Sequence, residues 1–420
     1  MKKLLLILCS VLIVSCSGCT GSFPTFSNQP PTEPELTEEE KAAIRREEQL
    51  VPVLEQASLL AQGYFYEEAL EQLSAVPEEF RNDPEVAAAI AEYTEAPNHF
   101  VPFEDPVRHI FFHSLIVDTA LAFDGDHMSN GYNYWMTTVD EFKAMLEELY
   151  NNDFILIDIH DLYVEETAED GTVTLTANKP LIPEGKKPLV LSVDDVNYYD
   201  YMKNDGFARK LLIDENGDVK NLYVDADGNE LIGDYDVAPI LDSFVKEHPD
   251  FSLRGAKGVL ALTGYEGTLG YRTNDLESPT YEQDLADAAA VAKRLKETGW
   301  YFAVHGWGHR DAAKITYQHL QQDTARWKEE VASLVGDTDI YIYPYGSEVD
   351  YPSDKLTYLQ SEGYRIFCGV WTKPFVSVKD TYVRQSRCNL DGFNMITRPG
   401  SFDDLFDSSK VLDPSRPELE

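Results

Sequence analysis

At 420 residues the chain is too long for one average domain and suits a large barrel-sized domain with a small appendage. Hydrophobic residues make up 43% and aromatics 12%, enough for a substantial core, which excludes wholesale disorder. With 74 acidic against 35 basic side chains the formal charge is −39; such a surface repels nucleic acid, so nucleic-acid binding is excluded.

In chain order, Lys2 and Lys3 precede an apolar stretch, Leu4 to Val14, that is too short to span a bilayer. Residues 1–15 therefore read as an export signal. The end of this segment, Ile13-Val14-Ser15-Cys16, resembles the bacterial lipobox, whose cysteine is acylated. The resemblance implies a membrane anchor at Cys16, with Cys19 as second choice, on the outer face of the bacterial cell membrane; an ordinary cleaved secretion signal is the alternative. Residues 16–36 are rich in Ser, Thr, Pro and Asn and read as a flexible tether.

Residues 37–100 read as an α-helical spacer. Thr37-Glu38-Glu39-Glu40 forms a capping box opening a charged helix expected to run towards Gln56. Leu59 to Leu73 has the pattern of a helical hairpin, and Val86 to Tyr93 of a further helix. The whole resembles one tetratricopeptide-like unit, although repeat arrays need about three copies or more.

Residues 106–405 alternate short apolar runs with amphipathic helices, which predicts an α/β fold, a deformed (β/α) barrel of seven to eight strands. Strands are expected at Arg108–Phe112, Phe154–Ile159, Pro188–Val193, Tyr301–Val304, Asp339–Tyr343, Tyr364–Val370 and Tyr382–Cys388. Thr138 to Glu141 is a second capping box, opening a helix with Phe142, Met145, Leu146 and Leu149 on one face, and another helix runs from Tyr281 to a stop at Gly299. Residues 198–249 form an insertion whose Asn216-Gly217 and Asp227-Gly228 steps predict hairpins rather than calcium loops. Residues 406–420 are read as a tail. Cys368 and Cys388 either pair, as export permits, or remain buried thiols.

Four polar clusters each follow an apolar run directly: His113, Asp194-Asp195, His305 to His309, and Pro344-Tyr345-Gly346. In a parallel barrel the C-terminal ends of the strands share one face, where such folds place their active sites. Two histidines at i and i+4 with a carboxylate make a three-ligand set that leaves an open position for water, as zinc favours. Asp194 and Asp195 would face opposite ways on a regular strand, so the pair is expected on the turn just beyond it.

These motifs resemble those of the polysaccharide deacetylase family of carbohydrate esterases: Leu191-Ser192-Val193-Asp194-Asp195, His305-x-x-x-His309 and Tyr343-Pro344-Tyr345-Gly346. The early Phe112-His113 and the lack of a late Leu-x-His are similar to the permuted branch of biofilm poly-N-acetylglucosamine deacetylases. The resemblance implies one divalent metal ion, zinc by preference, on Asp195, His305 and His309. It makes Asp194 the general base, His113 the general acid and the Tyr345 backbone N–H an oxyanion donor. Trp307, Pro344, Tyr345 and Trp371 are the expected substrate contacts, though core packing accounts equally well for the aromatic ones. The arginine that precedes the Pro-Tyr-Gly loop in the family is missing, and Arg384 or Arg387 is expected to replace it, with Arg384 preferred; Val196 and Gly306 also depart from the pattern. The remaining histidines, His109 and His160 among them, are expected to be structural or exposed. The implied activity is hydrolysis of the carbon–nitrogen bond of acetyl groups on an N-acetylated cell-surface or extracellular polysaccharide. The alternatives are O-acetyl hydrolysis on a xylan-type sugar, or a catalytically silent glycan-binding lipoprotein on the same fold.

Overall fold

The computed structural model describes residues 36–419 except Thr372. Cys16 and Cys19 lie outside the described residues. Seven parallel strands form the centre: β1 (Arg108–Phe112), β2 (Lys187–Val193), β3 (Gly258–Leu262), β4 (Trp300–Val304), β5 (Ile340–Ile342), β6 (Ile366–Val370) and β7 (Tyr382–Asn389). Each pairs with the next in chain order, and β7 returns to β1, so the sheet closes into a barrel. The ring is uneven. Strand Phe154–Leu156 pairs with the start of β2, and β3 joins β2 only through Val259–Ser192 and Leu260–Val193. This is the deformed seven-to-eight-strand barrel expected from the sequence.

Alternation along the strands sorts the core into two shells. Ile110, Phe112, Leu191, Val193, Leu260, Leu262, Phe302 and Val304 face outwards into one cluster with the surrounding helices, including Phe142, Met145, Leu146 and Leu149 of helix Val139–Asn151. Val190, Val259, Ala261, Ala303, Ile342, Ile366, Cys368 and Val383 fill the interior. Burying each of the large aliphatic side chains stabilises the fold by about 1.5–3 kcal/mol. Cys368 and Cys388 are both buried and free, and they belong to opposite shells, which explains why they do not pair.

Helices α1 (Glu38–Gln49), α2 (Val51–Gln62), α3 (Tyr66–Ser74) and α4 (Pro84–Glu95) precede the barrel. The Thr37–Glu40 capping box opens α1, but the helix stops at Gln49 instead of running to Gln56. Pro52, in the first turn of α2, has no N–H to continue the ladder. Ala57, Ala61, Ala69, Leu73 and Tyr93 form the core of this unit. It docks on the barrel through Tyr64, whose hydroxyl donates to the Asp250 carbonyl at 3.0 Å.

Within 198–249, strands Lys210–Ile213, Val219–Val224 and Glu230–Gly233 form an antiparallel sheet. At its turns Asp214 accepts from the N–H groups of Asn216 and Asp218, and Asp225 from those of Asp227 and Asn229. These carboxylates thus serve the hairpin turns. The stretch expected to be a tail is docked: Arg416 forms a buried ion pair with Glu141 and donates to the carbonyls of Asn133 and Met136.

Candidate active site

The inward register of the strands builds the site. His109 and Phe111 on β1 lead to His113, Val190 and Ser192 on β2 to Asp194, Ala303 on β4 to His305, and Val383 and Gln385 on β7 to Arg387. Each sequence passes from apolar or neutral groups inside the barrel to a titratable group at its C-terminal rim. His113, Asp194, Asp195, His305, His309, Tyr345, Trp371 and Arg387 line one cavity of about 710 Å³.

Asp195 has φ +59°, in the left-handed region that aspartate tolerates better than most side chains. This turn lets both adjacent carboxylates reach one site, as the strand alternation required. Asp195, His305 and His309 bring their ligand atoms within 4.8 Å of one another. In two of the three the other atom is already committed. His305 Nδ1–H donates to the Ile342 carbonyl at 2.9 Å, which leaves the Nε2 lone pair facing the site. Asp195 Oδ1 accepts from the Tyr199 hydroxyl at 2.6 Å, while Oδ2 lies 3.6 Å from His309 Nε2, too far for a hydrogen bond. Burial lowers the His305 pKa against the pull of the two aspartates, so its imidazole stays neutral, as a ligand must be. This donor set fits one divalent ion.

Asp194 is buried and receives two hydrogen bonds from Arg387, Nη1 to Oδ1 at 2.6 Å and Nη2 to Oδ2 at 3.0 Å. Burial alone would raise its pKa, but the Arg387 charge and the Arg387 hydrogen bonds outweigh it and hold the carboxyl well below the usual range. Arg384, the preferred partner in the sequence reading, is a correction: its Nε bonds Glu348 at 2.9 Å, and Arg387 supplies the arginine instead. The reason is register. Arg384 and Arg387 are three apart on one strand, so they cannot share a face, and Arg387 points inwards with Gln385.

Below the rim a buried chain continues from this pair. Arg387 Nη1 also donates to Ser192 Oγ at 3.2 Å, and Ser192 lies 2.8 Å from His109 Nε2. His109 Nδ1 faces Gln385 Oε1 at 2.9 Å, an acceptor, so it carries the proton, and Nε2 accepts from the Ser192 hydroxyl. Burial, with Arg387 nearby, pushes the His109 pKa down to about 3, keeping the ring neutral. The sequence reading gave His109, expected there to be structural or exposed, no role at the site, and none to Ser192 or Tyr199. The signal available was a polar residue at an inward position of a barrel strand, where a partner is required.

The other expected contacts divide. Tyr345, with φ +59°, is 70% exposed and its ring meets His309 edge-on at 4.6 Å. Trp371 lines the cavity with its indole N–H held by Glu348 at 2.9 Å. Pro344 and Trp307 do not line the cavity. Pro344 is buried behind the loop; Trp307 donates to Glu330 at 2.7 Å and stacks under Arg326, packed on the outer shell. Gly306 has φ +67° and a Cβ there would lie 3.0 Å from Oδ2 of Asp323, whose Oδ2 accepts from the Trp307 N–H and Oδ1 from the Gly308 N–H. Glycine is therefore what this loop demands. His113 has a buried Nδ1 without a hydrogen-bond partner. Asp391, also on the cavity wall, is pushed up to about 7 by burial.

Residues 275–367 match the family described as polysaccharide deacetylase. The matched segment carries His305, His309 and the Pro344-Tyr345-Gly346 loop; His113, Asp194 and Asp195 precede it. Among solved structures the chain is similar to "Streptococcus pyogenes deacetylase PplD in complex with acetate", with 12% identity and a TM-score of 0.40, over 71% of this chain and 98% of that one. No curated protein matches the sequence.

Proposed function

We propose that the protein is a metal-dependent deacetylase that hydrolyses acetamide groups on an N-acetylated polysaccharide, of the permuted poly-N-acetylglucosamine deacetylase type. The observation that carries this reading is the Asp195–His305–His309 donor set beside an ionised, arginine-held Asp194 in one cavity. A divalent ion on that set, zinc by its nitrogen and oxygen donors, would polarise the acetyl carbonyl and acidify water. Asp194 accepts the proton from the attacking water as the new C–O bond forms. Arg387 fixes the orientation of that carboxylate, and His109 and Ser192 fix Arg387 from below. Protonation of the departing nitrogen by His113 accompanies C–N cleavage, giving acetate and a free amine. The Tyr345 backbone N–H, on a loop that borders His309, is assigned to the developing oxyanion. Two departures from the family pattern have structural reasons, the Gly306 conformation and the replacement of the missing arginine by Arg387, and both favour catalysis over a silent binder.

The test is acetate release from N-acetylglucosamine oligomers and from acetylated xylan, before and after chelation and zinc readdition. Zinc-restored release from the former supports the reading; release from xylan alone makes the protein an O-acetyl esterase. We further propose acylation at Cys16 and a place on the outer face of the cell membrane. A Cys16→Ala chain that remains in the membrane fraction, fully processed, refutes that anchor.

A further inference from the structure

The 198–249 insertion starts beside the metal donors, and its second residue touches one of them. Tyr199 is buried, and its hydroxyl meets Asp195 Oδ1 at 2.6 Å and Thr263 Oγ1 at 2.8 Å. An ionised carboxylate only accepts, so the phenol donates to Asp195 and the Thr263 hydroxyl donates to the phenol oxygen. A hydroxyl donating to a carboxylate at this length is a charge-assisted bond, stronger than one between neutral groups. The other oxygen, Oδ2, is the one that lies 3.6 Å from His309 Nε2.

The tyrosine is itself held on every side. Its ring stacks with those of Tyr201 and Tyr265, at 5.6 Å and 5.0 Å between centroids. Asn197 clamps the backbone of Thr263, accepting from its N–H at 3.1 Å and donating to its carbonyl at 3.0 Å. Arg272 donates to the carbonyls of Tyr198 and Glu266, each at 2.7 Å. These bonds lock residues 197–199 to the loop that follows β3. Asp195 and Tyr198 have φ of +59° and +53°, conformations that persist only where the surroundings enforce them. The phenol therefore reaches Asp195 from a fixed position.

The consequence concerns which ion the site takes. A carboxylate can offer a cation one oxygen or two. Zinc in a catalytic site takes three protein donors and a water, whereas manganese favours six oxygen-rich positions and gains from a second carboxylate oxygen. With Oδ1 occupied by Tyr199, Asp195 has one oxygen left to give, as His305 has one nitrogen left beyond its bond to the Ile342 carbonyl. Without the phenol, Oδ1 would become a fourth protein donor, and the set would suit the ion of higher coordination.

Building on the deacetylase reading, we propose that Tyr199 is a positioning residue that restricts Asp195 to a single oxygen towards the metal and so sets the preference of the site for zinc over manganese. The test is the dissociation constant of each ion for the metal-stripped full-length protein, by competition with a chelating dye. The chains compared are the wild type, Tyr199→Phe and Thr263→Val, each checked for folding by urea unfolding. Tyr199→Phe keeps the ring stack and loses only the hydroxyl. Its zinc affinity should fall about 10–100-fold, the usual cost of losing a partner behind a metal ligand. Manganese affinity should change little, so the zinc-to-manganese ratio falls by roughly 10-fold or more. Thr263→Val removes the donor behind the phenol and should shift the ratio the same way by less. Equal weakening of both ions in Tyr199→Phe, as general loosening would give, overturns the assignment, and so does an unmoved ratio. Should Tyr199→Phe fail to fold, Thr263→Val decides: a lowered ratio upholds the role and an unchanged one overturns it. A wild type that binds neither ion overturns the metal-dependent reading and this assignment with it. A wild type that binds zinc and releases acetate, with one ratio in all three chains, overturns the assignment alone.

Discussion

Replacing Arg387 by methionine tests how the site keeps its base ionised. Arg387 is completely buried and Asp194 nearly so, and two short hydrogen bonds join them. Removing one member of such a buried pair costs about 3–5 kcal/mol, because the remaining charge loses its partner without regaining water. Asp194 can escape part of that cost only by taking up a proton, so the pH dependence is diagnostic. In the wild type its folded pKa lies below the unfolded value of about 3.9, so its contribution to stability is present above that value and lost as pH falls through the folded pKa. Without Arg387, burial dominates and the folded pKa rises above the unfolded value, so stability is lost as pH increases. The gap between the two proteins should be small near pH 3.5 and approach the full cost near pH 8, read by urea unfolding. The acid limb of kcat/KM should move to higher pH in the variant; Asp391, whose pKa burial pushes up to about 7, is present in both proteins and does not account for a difference between them. Arg387→Lys, which keeps charge but not the fork, should fall between them. Parallel stability curves together with an unmoved acid limb would refute this account of Asp194.

His305→Ala and His309→Ala should each bind roughly one zinc ion per chain far more weakly than the wild type, since a three-ligand site holds its ion poorly after losing one; near-stoichiometric metal by elemental analysis in both variants contradicts the donor set. His109→Leu removes the acceptor for Ser192 and should lower kcat at unchanged metal content, with the acid limb displaced as in Arg387→Met but less; a loss of stability with no change in the pH profile would make His109 merely structural. Gly392→Ala should destabilise by roughly 1–3 kcal/mol through overpacking against Asn133 and Arg416, seen as a lower urea midpoint.

Much of the site is legible in the sequence because its parts are local. Asp194-Asp195 and His305 to His309 each follow an apolar run, and the strand-end rule of barrels brings them together. Strand β3 escaped notice: Val259 to Leu262 is a short, fully buried run with no alternation, directly after a long insertion, and periodicity cannot mark such a run. The break at Leu50 was written in Pro52, where the charged pattern of Glu38–Gln49 gives way to the largely apolar Val51–Gln62. The choice between Arg384 and Arg387 depended on strand register, which β7 fixes by pairing Val383 with Ile366 and Cys388 with Ile110. Trp307 was a reasonable sugar contact by type, yet the turn at Gly306 sends it outwards to Glu330. Trp135 and Phe393, which also line the cavity, come from segments more than two hundred residues apart in the chain, and only the closed ring of strands makes them neighbours.

The division of labour between two adjacent carboxylates is the centre of the account. Asp194→Asn keeps the shape and one of the two Arg387 hydrogen bonds but cannot take a proton, whereas Asp195→Asn removes an anionic ligand. The most direct measurement is metal content and acetate release determined on the same preparation of Asp194→Asn, with Asp195→Asn alongside. Asp194→Asn should retain about one ion per chain while turnover falls about 10²–10⁴-fold, the usual worth of a positioned base. Asp195→Asn should lose the ion and recover part of its activity in excess zinc. Loss of metal from Asp194→Asn with retention in Asp195→Asn would reverse the roles, and undiminished acetate release from both would contradict the mechanism.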